Sequence, residues 1–293
     1  MEKAKFIAGE VRRQGSYERV GHADTSTRLL LMEMVVKPTL LFNTETWINI
    51  TKQEMDEVNK GHYLVLRKVL EQKDNIPYYG LLLETGLWPY SYVIIYKRIM
   101  MFHNLIHSKE SRIARKIVIN QMNGQGKGFT WYQGVDEWLD KLELEKEEEA
   151  ILQIKKSKWK KRLKEKLGEW IKNELEEQKK KMKKLRFTNT TGRQEYMETC
   201  SMSQVKKILE LRLNMTELKA NYRGKYTDAV CPACQAEEET TEHVIQCSEY
   251  KRLVGHKLDE GEKPLSSKMN DLQWLKEAAN VFQKIEEARK WLL

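Results

Sequence analysis

The sequence predicts a mainly α protein: a helical bundle, a long basic amphipathic helix and a small knuckle on a Cys-Cys-His-Cys set. Three observations predict it. Apolar residues recur at steps of three and four over most of the chain, no stretch is β-rich, and three of the four cysteines gather with one histidine between residues 231 and 247. No internal repeat is present. At 293 residues the chain can hold a sizeable core and two or three units. Its 40% apolar and 32% charged content imply helices with broad wet faces.

Residues 25–42 are expected as an apolar helix, kinked or divided at Pro38, which removes a backbone donor. Thr51-Lys52-Gln53-Glu54 is a capping box. It opens a helix whose Met55, Val58, His62, Val65 and Val69 share a face. Asn75-Ile76-Pro77 ends that unit, and residues 78–83 form a short apolar helix before a turn at Gly86. Pro89 suits the first position of a helix to about Ser108, with Val93, Tyr96, Met100, His103 and Ile106 on one face. Another helix is expected over 111–122. Gly124-Gln125-Gly126-Lys127-Gly128 reads as a flexible linker, because it lacks the spacing of a phosphate loop and no strand leads into it.

Residues 131–149 are mixed and end acidic. A long helix is expected over 147–185, with Leu152, Trp159, Leu163, Leu167, Trp170, Ile171, Leu175 and Met182 as its apolar stripe. Gly168 marks a bend in it. A second boundary falls at 188–192. A helix over 203–215 leads to the cysteine unit, and a terminal amphipathic helix over 272–293 follows the loop at Pro264.

The cysteine unit is the most specific motif: Cys231-Pro232-Ala233-Cys234, eight residues, His243, three residues, Cys247. Two thiolates two residues apart grip one ion from a tight turn, and His243 and Cys247, at i and i+4, aim at the same point from one helical turn. Four such donors suit a closed tetrahedral Zn²⁺ site with a structural role, since no position is left for water. Thr240 and Thr241 are candidate N-caps of the ligand helix. The competing readings are buried thiols beside a surface histidine, a disulfide, or His256 in place of His243. No secretory segment is recognised in Met1-Glu2-Lys3-Ala4-Lys5-Phe6-Ile7, so a reducing intracellular compartment, nuclear or cytoplasmic, is expected, where this spacing reads as metal. The most apolar window, 92–106, is broken by Lys97, Arg98 and His103 and is not expected to span a membrane.

Charge is concentrated. Residues 155–186 hold 15 Lys or Arg against five Glu, a net +10, whereas the whole chain is +9 and the remainder therefore −1. RNA or DNA is the natural partner of such a segment, through Lys155, Lys156, Lys158, Lys160, Lys161 and Arg162 at its start and Lys179, Lys180, Lys181, Lys183, Lys184 and Arg186 at its end. A solvated helix face is the alternative. Lys219, Tyr222, Arg223, Lys225 and Tyr226 precede the first metal cysteine. They either contact phosphates and stack on bases, or form a turn at Gly224 whose tyrosines pack under the knuckle.

No catalytic constellation is found. His103 and His107 have metal-like spacing but no third ligand, and are read as a core residue and a helix-end residue. Cys200 is a lone thiol. Glu145, Glu147, Glu148 and Glu149 start a helix, and no nucleophile–base pair can be drawn.

Two stretches resemble the C-terminal region of non-LTR (LINE-type) retrotransposon reverse transcriptases. The first comprises Arg28-Leu29-Leu30-Leu31-Met32 through Lys37-Pro38, Glu45-Thr46-Trp47, and Tyr78-Tyr79-Gly80-Leu81-Leu82-Leu83-Glu84-Thr85-Gly86-Leu87-Trp88-Pro89; it is similar to the helical thumb after the polymerase palm. The second runs from Leu211-Arg212-Leu213 through Asn221-Tyr222-Arg223-Gly224-Lys225-Tyr226 to Cys231, Cys234, Glu242-His243 and Cys247, and is similar to the zinc knuckle closing such proteins. The final spacer is three residues here, where the family often has four. The family's chemistry needs an adjacent Asp pair and a third Asp holding two Mg²⁺, and no Asp-Asp occurs in this chain. Residues 1–20 are then at most the tail of a palm. The implied organisation is a thumb-like bundle over 1–123, linker and basic helix over 124–200, the zinc unit over 201–260 and a C-terminal helix over 261–293. The implied function is nucleic-acid binding without catalysis. The alternatives are part of an active RNA-directed DNA polymerase working with an upstream palm segment, or a helical protein-interaction scaffold.

Overall fold

A computed structural model describes residues 24–188, 192–255, 258 and 264–293. The N-terminal expectations on residues 1–20, and His256, lie outside them. Among the described residues the fold is helical: no named strand occurs, and β structure is confined to two isolated bridges, Thr85 with Arg193 and Val230 with Glu238. None of these helices is long and apolar enough to cross a membrane.

The chain divides into two compact units. Unit 1 holds Leu31–Val65 and Trp88–Glu176; unit 2 holds residues 24–30, Leu66–Leu87 and Glu177–Leu293. Helix α1 (Thr25–Leu31) widens into a π turn (Met32–Val36) before α2 (Lys37–Leu40). The widening is how Pro38 is absorbed. Lys37 N–H reaches Met32 O, five residues back, which opens room for a ring that would otherwise meet a carbonyl. Helix α3 (Lys52–Val69) opens on the expected capping box, with Thr51 N–H donating to Glu54 Oε2 (2.8 Å) and Glu54 N–H to Thr51 Oγ1 (3.2 Å).

Helix α4 (Tyr78–Thr85) stops at Gly86, which takes the left-handed φ of +67° that a Cβ would disfavour. Helix α5 (Tyr90–Ile106) forms the centre of unit 1. Pro89 is its N-cap and has no side-chain acceptor to offer. Asn59 of α3 supplies one instead, accepting from Ser91 N–H (3.0 Å) and donating to Ser91 Oγ (3.0 Å). The buried face of α5 differs from the expected one: Ile94, Ile95, Arg98, Ile99 and Phe102 are buried along with Val93, His103 and Ile106, whereas Tyr96 and Met100 are half-buried. Elements on several sides cover it, so its buried arc is wider than one amphipathic stripe. Arg98 enters that arc because it donates to the carbonyls of Trp47, Ile48 and Trp131.

Helix α6 (Ile113–Met122) and α7 (Trp131–Lys141) follow on either side of the glycine loop, where Gly124 and Gly128 both have positive φ. Thr130 and Gln133 make a capping box for α7. The single helix expected over 147–185 is instead two, α8 (Glu148–Leu152) and α9 (Lys156–Lys181), with a 3₁₀ turn at Lys183–Leu185. His103 explains the break: its ring Nε2 lies 3.0 Å from Ile154 O, capturing a carbonyl that a continuous helix would need. Trp159, Leu163, Leu167, Ile171 and Leu175 form the buried stripe of α9. Leu152, Trp170 and Met182, expected in it, are exposed.

In unit 2, α10 (Tyr196–Thr199), α11 (Met202–Arg212), α12 (Thr241–Gln246), α13 (Ser248–Val254), α14 (Leu265–Lys268) and α15 (Leu272–Leu292) complete the order. Helix α15 packs on α11 and α13 and buries Leu275, Ala278, Ala279, Phe282 and Ile285. Glu84 of α4 is fully buried and accepts from Arg212 Nε (2.8 and 3.0 Å) and from Tyr196 O–H (2.8 Å). The charge is therefore paired where burial would otherwise make it very costly.

Candidate metal centre and basic segments

The spacing of the cysteines translates into a local fold held by the backbone. Residues 229–231 and 237–239 run antiparallel for one bridge: Cys231 N–H donates to Glu237 O (2.8 Å) and Glu239 N–H to Ala229 O (2.8 Å). Gln235 closes the intervening turn, donating its N–H to Cys231 O (2.9 Å) from a left-handed φ of +56°. Helix α12 then starts at Thr240, whose Oγ1 accepts from His243 N–H (3.1 Å). Of the two candidate caps, Thr240 is the one used. Cys247 N–H bonds His243 O (2.7 Å), so the last two donors leave a single helical turn on one side.

The result is a convergent set. The donor atoms of Cys231, Cys234, His243 and Cys247 all lie within 4.8 Å of one another, a group that can hold one metal ion. No disulfide forms: all four cysteines of the chain are free, with Cys200 buried elsewhere. Cys231 and Cys247 are buried and Cys234 is partly open. His243 Nε2 is 3.3 Å from Cys234 Sγ, while Nδ1 is 3.1 Å from Glu237 Oε2. An Nδ1–H donated to that carboxylate leaves the Nε2 lone pair directed at the sulfurs, the tautomer a cation requires. Burial pushes the Cys231 thiol up to about 12. The backbone N–H of Ala236, helped by that of Glu237, brings Cys234 down to about 7. Ionisation is thus easier at the rim than at the buried end, where a cation would be needed to favour the thiolate.

Sequence reasoning missed the group that anchors this loop. Glu239 is fully buried and accepts from Arg289 of α15 through both oxygens (2.6 and 2.8 Å), from Tyr250 O–H (2.6 Å) and from Lys219 N–H (2.8 Å). Arg289 lies 50 positions away, so no local pattern announces the pair. Glu237 was equally silent, being one glutamate among several in the spacer.

The basic residues sort by partner. Lys155, Lys156, Lys158, Lys160 and Lys161 are exposed at the start of α9, Lys161 lying 3.9 Å from Glu165. Arg162 is held by Glu145 and by Glu143 O. Lys180, Lys181 and Lys183 are exposed and Lys179 and Lys184 half-buried, with Lys180 3.7 Å from Glu177. Arg186 pairs with Glu242 (2.9 Å), Lys219 with Asp228 (3.0 Å) and Arg223 with Glu238 (2.9 Å). Tyr222 O–H donates to Met215 O (3.0 Å), a packing role. Lys225 lies over the half-buried Tyr226 ring. His103 is buried and His107 caps the end of α5, their rings stacked at 4.1 Å, so that pair has a structural account. Comparison with known protein families, with characterised proteins and with solved structures returned no match.

Proposed function

We propose that this chain is a catalytically silent nucleic-acid-binding module, a C-terminal piece of a LINE-type retrotransposon reverse transcriptase organised round a structural Zn²⁺ site. The observation that carries the reading is the donor set. A tetrahedral ion with Zn–S bonds of about 2.3 Å sets its sulfurs about 3.8 Å apart, which fits four donors gathered within 4.8 Å. Three thiolates and an imidazole favour Zn²⁺ over harder cations. Cys231, Cys234, His243 and Cys247 would hold the ion, and Glu237 would fix the histidine. With four protein donors the ion supplies folding energy and no open coordination position for chemistry.

Nucleic-acid binding is supported by the exposed lysines at both ends of α9, within residues 155–186, which carry the entire net positive charge. Phosphate contacts of this kind give affinity without sequence preference. The likeness to reverse transcriptases is supported by the residue patterns over 28–89 and 211–247, and the missing Asp pair argues for a binding role. The test is an anisotropy titration of the zinc-loaded chain with a labelled oligonucleotide across a salt series. Neutralising roughly four phosphates gives a slope of log K against log[salt] near −3 to −4. Changing Lys179, Lys180, Lys181, Lys183 and Lys184 to Gln should flatten it. Binding that ignores salt, or no binding at all, rejects the reading.

A further inference from the structure

Two arginines from separate parts of unit 2 reach the metal-binding loop. Arg186, just after α9, sets its Nη2 against the two oxygens of Glu242 (2.9 and 3.2 Å), the residue immediately before the ligand His243. Arg223 bonds both oxygens of Glu238 (2.9 and 3.1 Å), on the strand-like arm of the same loop. The Arg186 guanidinium lies over the Phe187 ring at 4.4 Å, which limits its freedom.

These pairs differ in kind from the two buried arginine–glutamate pairs of the unit. Arg212–Glu84 and Arg289–Glu239 are buried, with side chains at most 4% exposed, and cannot trade partners. Arg186 and Glu242 are 46% and 42% exposed, and Arg223 and Glu238 68% and 53%. Exposed pairs are weak and screened. A phosphate can take the place of the carboxylate and engage both arms of the guanidinium fork.

We propose that Arg186 and Arg223 form a phosphate-contact site for single-stranded nucleic acid on the metal-binding loop, held in reserve by Glu242 and Glu238. The proposal rests on the nucleic-acid reading above and adds an autoinhibitory contact to it. Each carboxylate occupies its arginine until a phosphate displaces it, and once displaced it repels the strand. The two glutamates therefore oppose binding, and removing their charge strengthens it by a route that needs the arginines.

The test is a fluorescence anisotropy titration of the full zinc-loaded chain with labelled 15-mers of U and of dT. Glu238→Gln/Glu242→Gln should bind both oligonucleotides tighter, by up to about fivefold per pair released. Glu277→Gln/Glu287→Gln removes the same charge from α15 without releasing either arginine, and should change affinity less. In an Arg186→Gln/Arg223→Gln background the gain should vanish. Arg186→Lys/Arg223→Lys keeps the charge, loses the fork and should bind several-fold more weakly, a measurement independent of the acid variants. A gain on one oligonucleotide alone sets the strand preference and supports the site. If the acid variant matches its control, or keeps its gain without the arginines, the reserve site is wrong while wild-type binding leaves the broader reading intact. Failure of the wild type and every variant to bind removes both. A gain toward a labelled polyglutamate peptide with none toward either oligonucleotide assigns the arginines to an acidic protein and overturns the proposal.

Discussion

His62 shows how burial acts on a single titratable side chain. It is fully buried and stacks on Tyr90 with ring centroids 3.8 Å apart and planes 2° from parallel. Burial, with Lys37 nearby, lowers its pKa to about 3. In the unfolded chain it takes up a proton near pH 6.5, so between about 3 and 6.5 the unfolded state binds more protons. Its stabilising contribution is complete above 6.5 and is lost progressively as pH falls through that window. In urea unfolding at pH 7 and pH 5, His62→Phe should lose about 2 kcal/mol less on acidification than the wild type; equal losses would refute the assignment. The four candidate metal ligands were legible because they are close in sequence and of rare types. Glu237 was not, since its role exists only once the turn at Gln235 has formed. Glu237→Gln should weaken metal binding about tenfold in a chelator competition; unchanged affinity would leave His243 oriented by its backbone alone.

At the level of elements, local chemistry was readable wherever it decided the outcome. The capping box at Thr51, the glycine stop at Gly86 and the helices at Tyr78–Thr85, Tyr90–Ile106, Met202–Arg212 and Leu272–Leu292 all follow from neighbours a few residues apart. The break between α8 and α9 was not readable, because the group that takes Ile154 O comes from His103, 51 positions earlier. Trp170 lies about 20° round the helix from Leu163, yet stays partly open with its ring edge-on to Trp138 at 5.7 Å. Helix α4 supplies a sharper case. An alanine in place of a mid-helix glycine ordinarily gains about 1 kcal/mol. At Gly80 the added carbon would stand 2.6 Å from Leu213 Cδ2 and 2.9 Å from Leu185 Cδ2, and both leucines are fully buried with little room to yield. Overpacking of this sort costs about 1–3 kcal/mol. Gly80→Ala should therefore lower the urea midpoint, and a rise would show that α4 can shift.

For the molecule as a whole, the influence of an ion bound at the candidate site should be confined by the division into units. Stripping the ion with a strong chelator should raise amide exchange over 228–250. Through Glu239 and Arg289 the effect should extend to α15. Helix α5 in unit 1, centred on residues buried by its own neighbours, should exchange as before. Exchange rising equally in both units would contradict this. The link between Glu239 and Arg289 also bears on how small a working piece of this protein can be. A synthetic peptide of residues 228–250 would own every ligand, yet Glu239 would have lost its guanidinium and the wall that surrounds it. It would grip an ion as a floppy chelate, not as a shaped domain. The smallest autonomous version must carry the last helix with it, although that helix donates nothing to the ion.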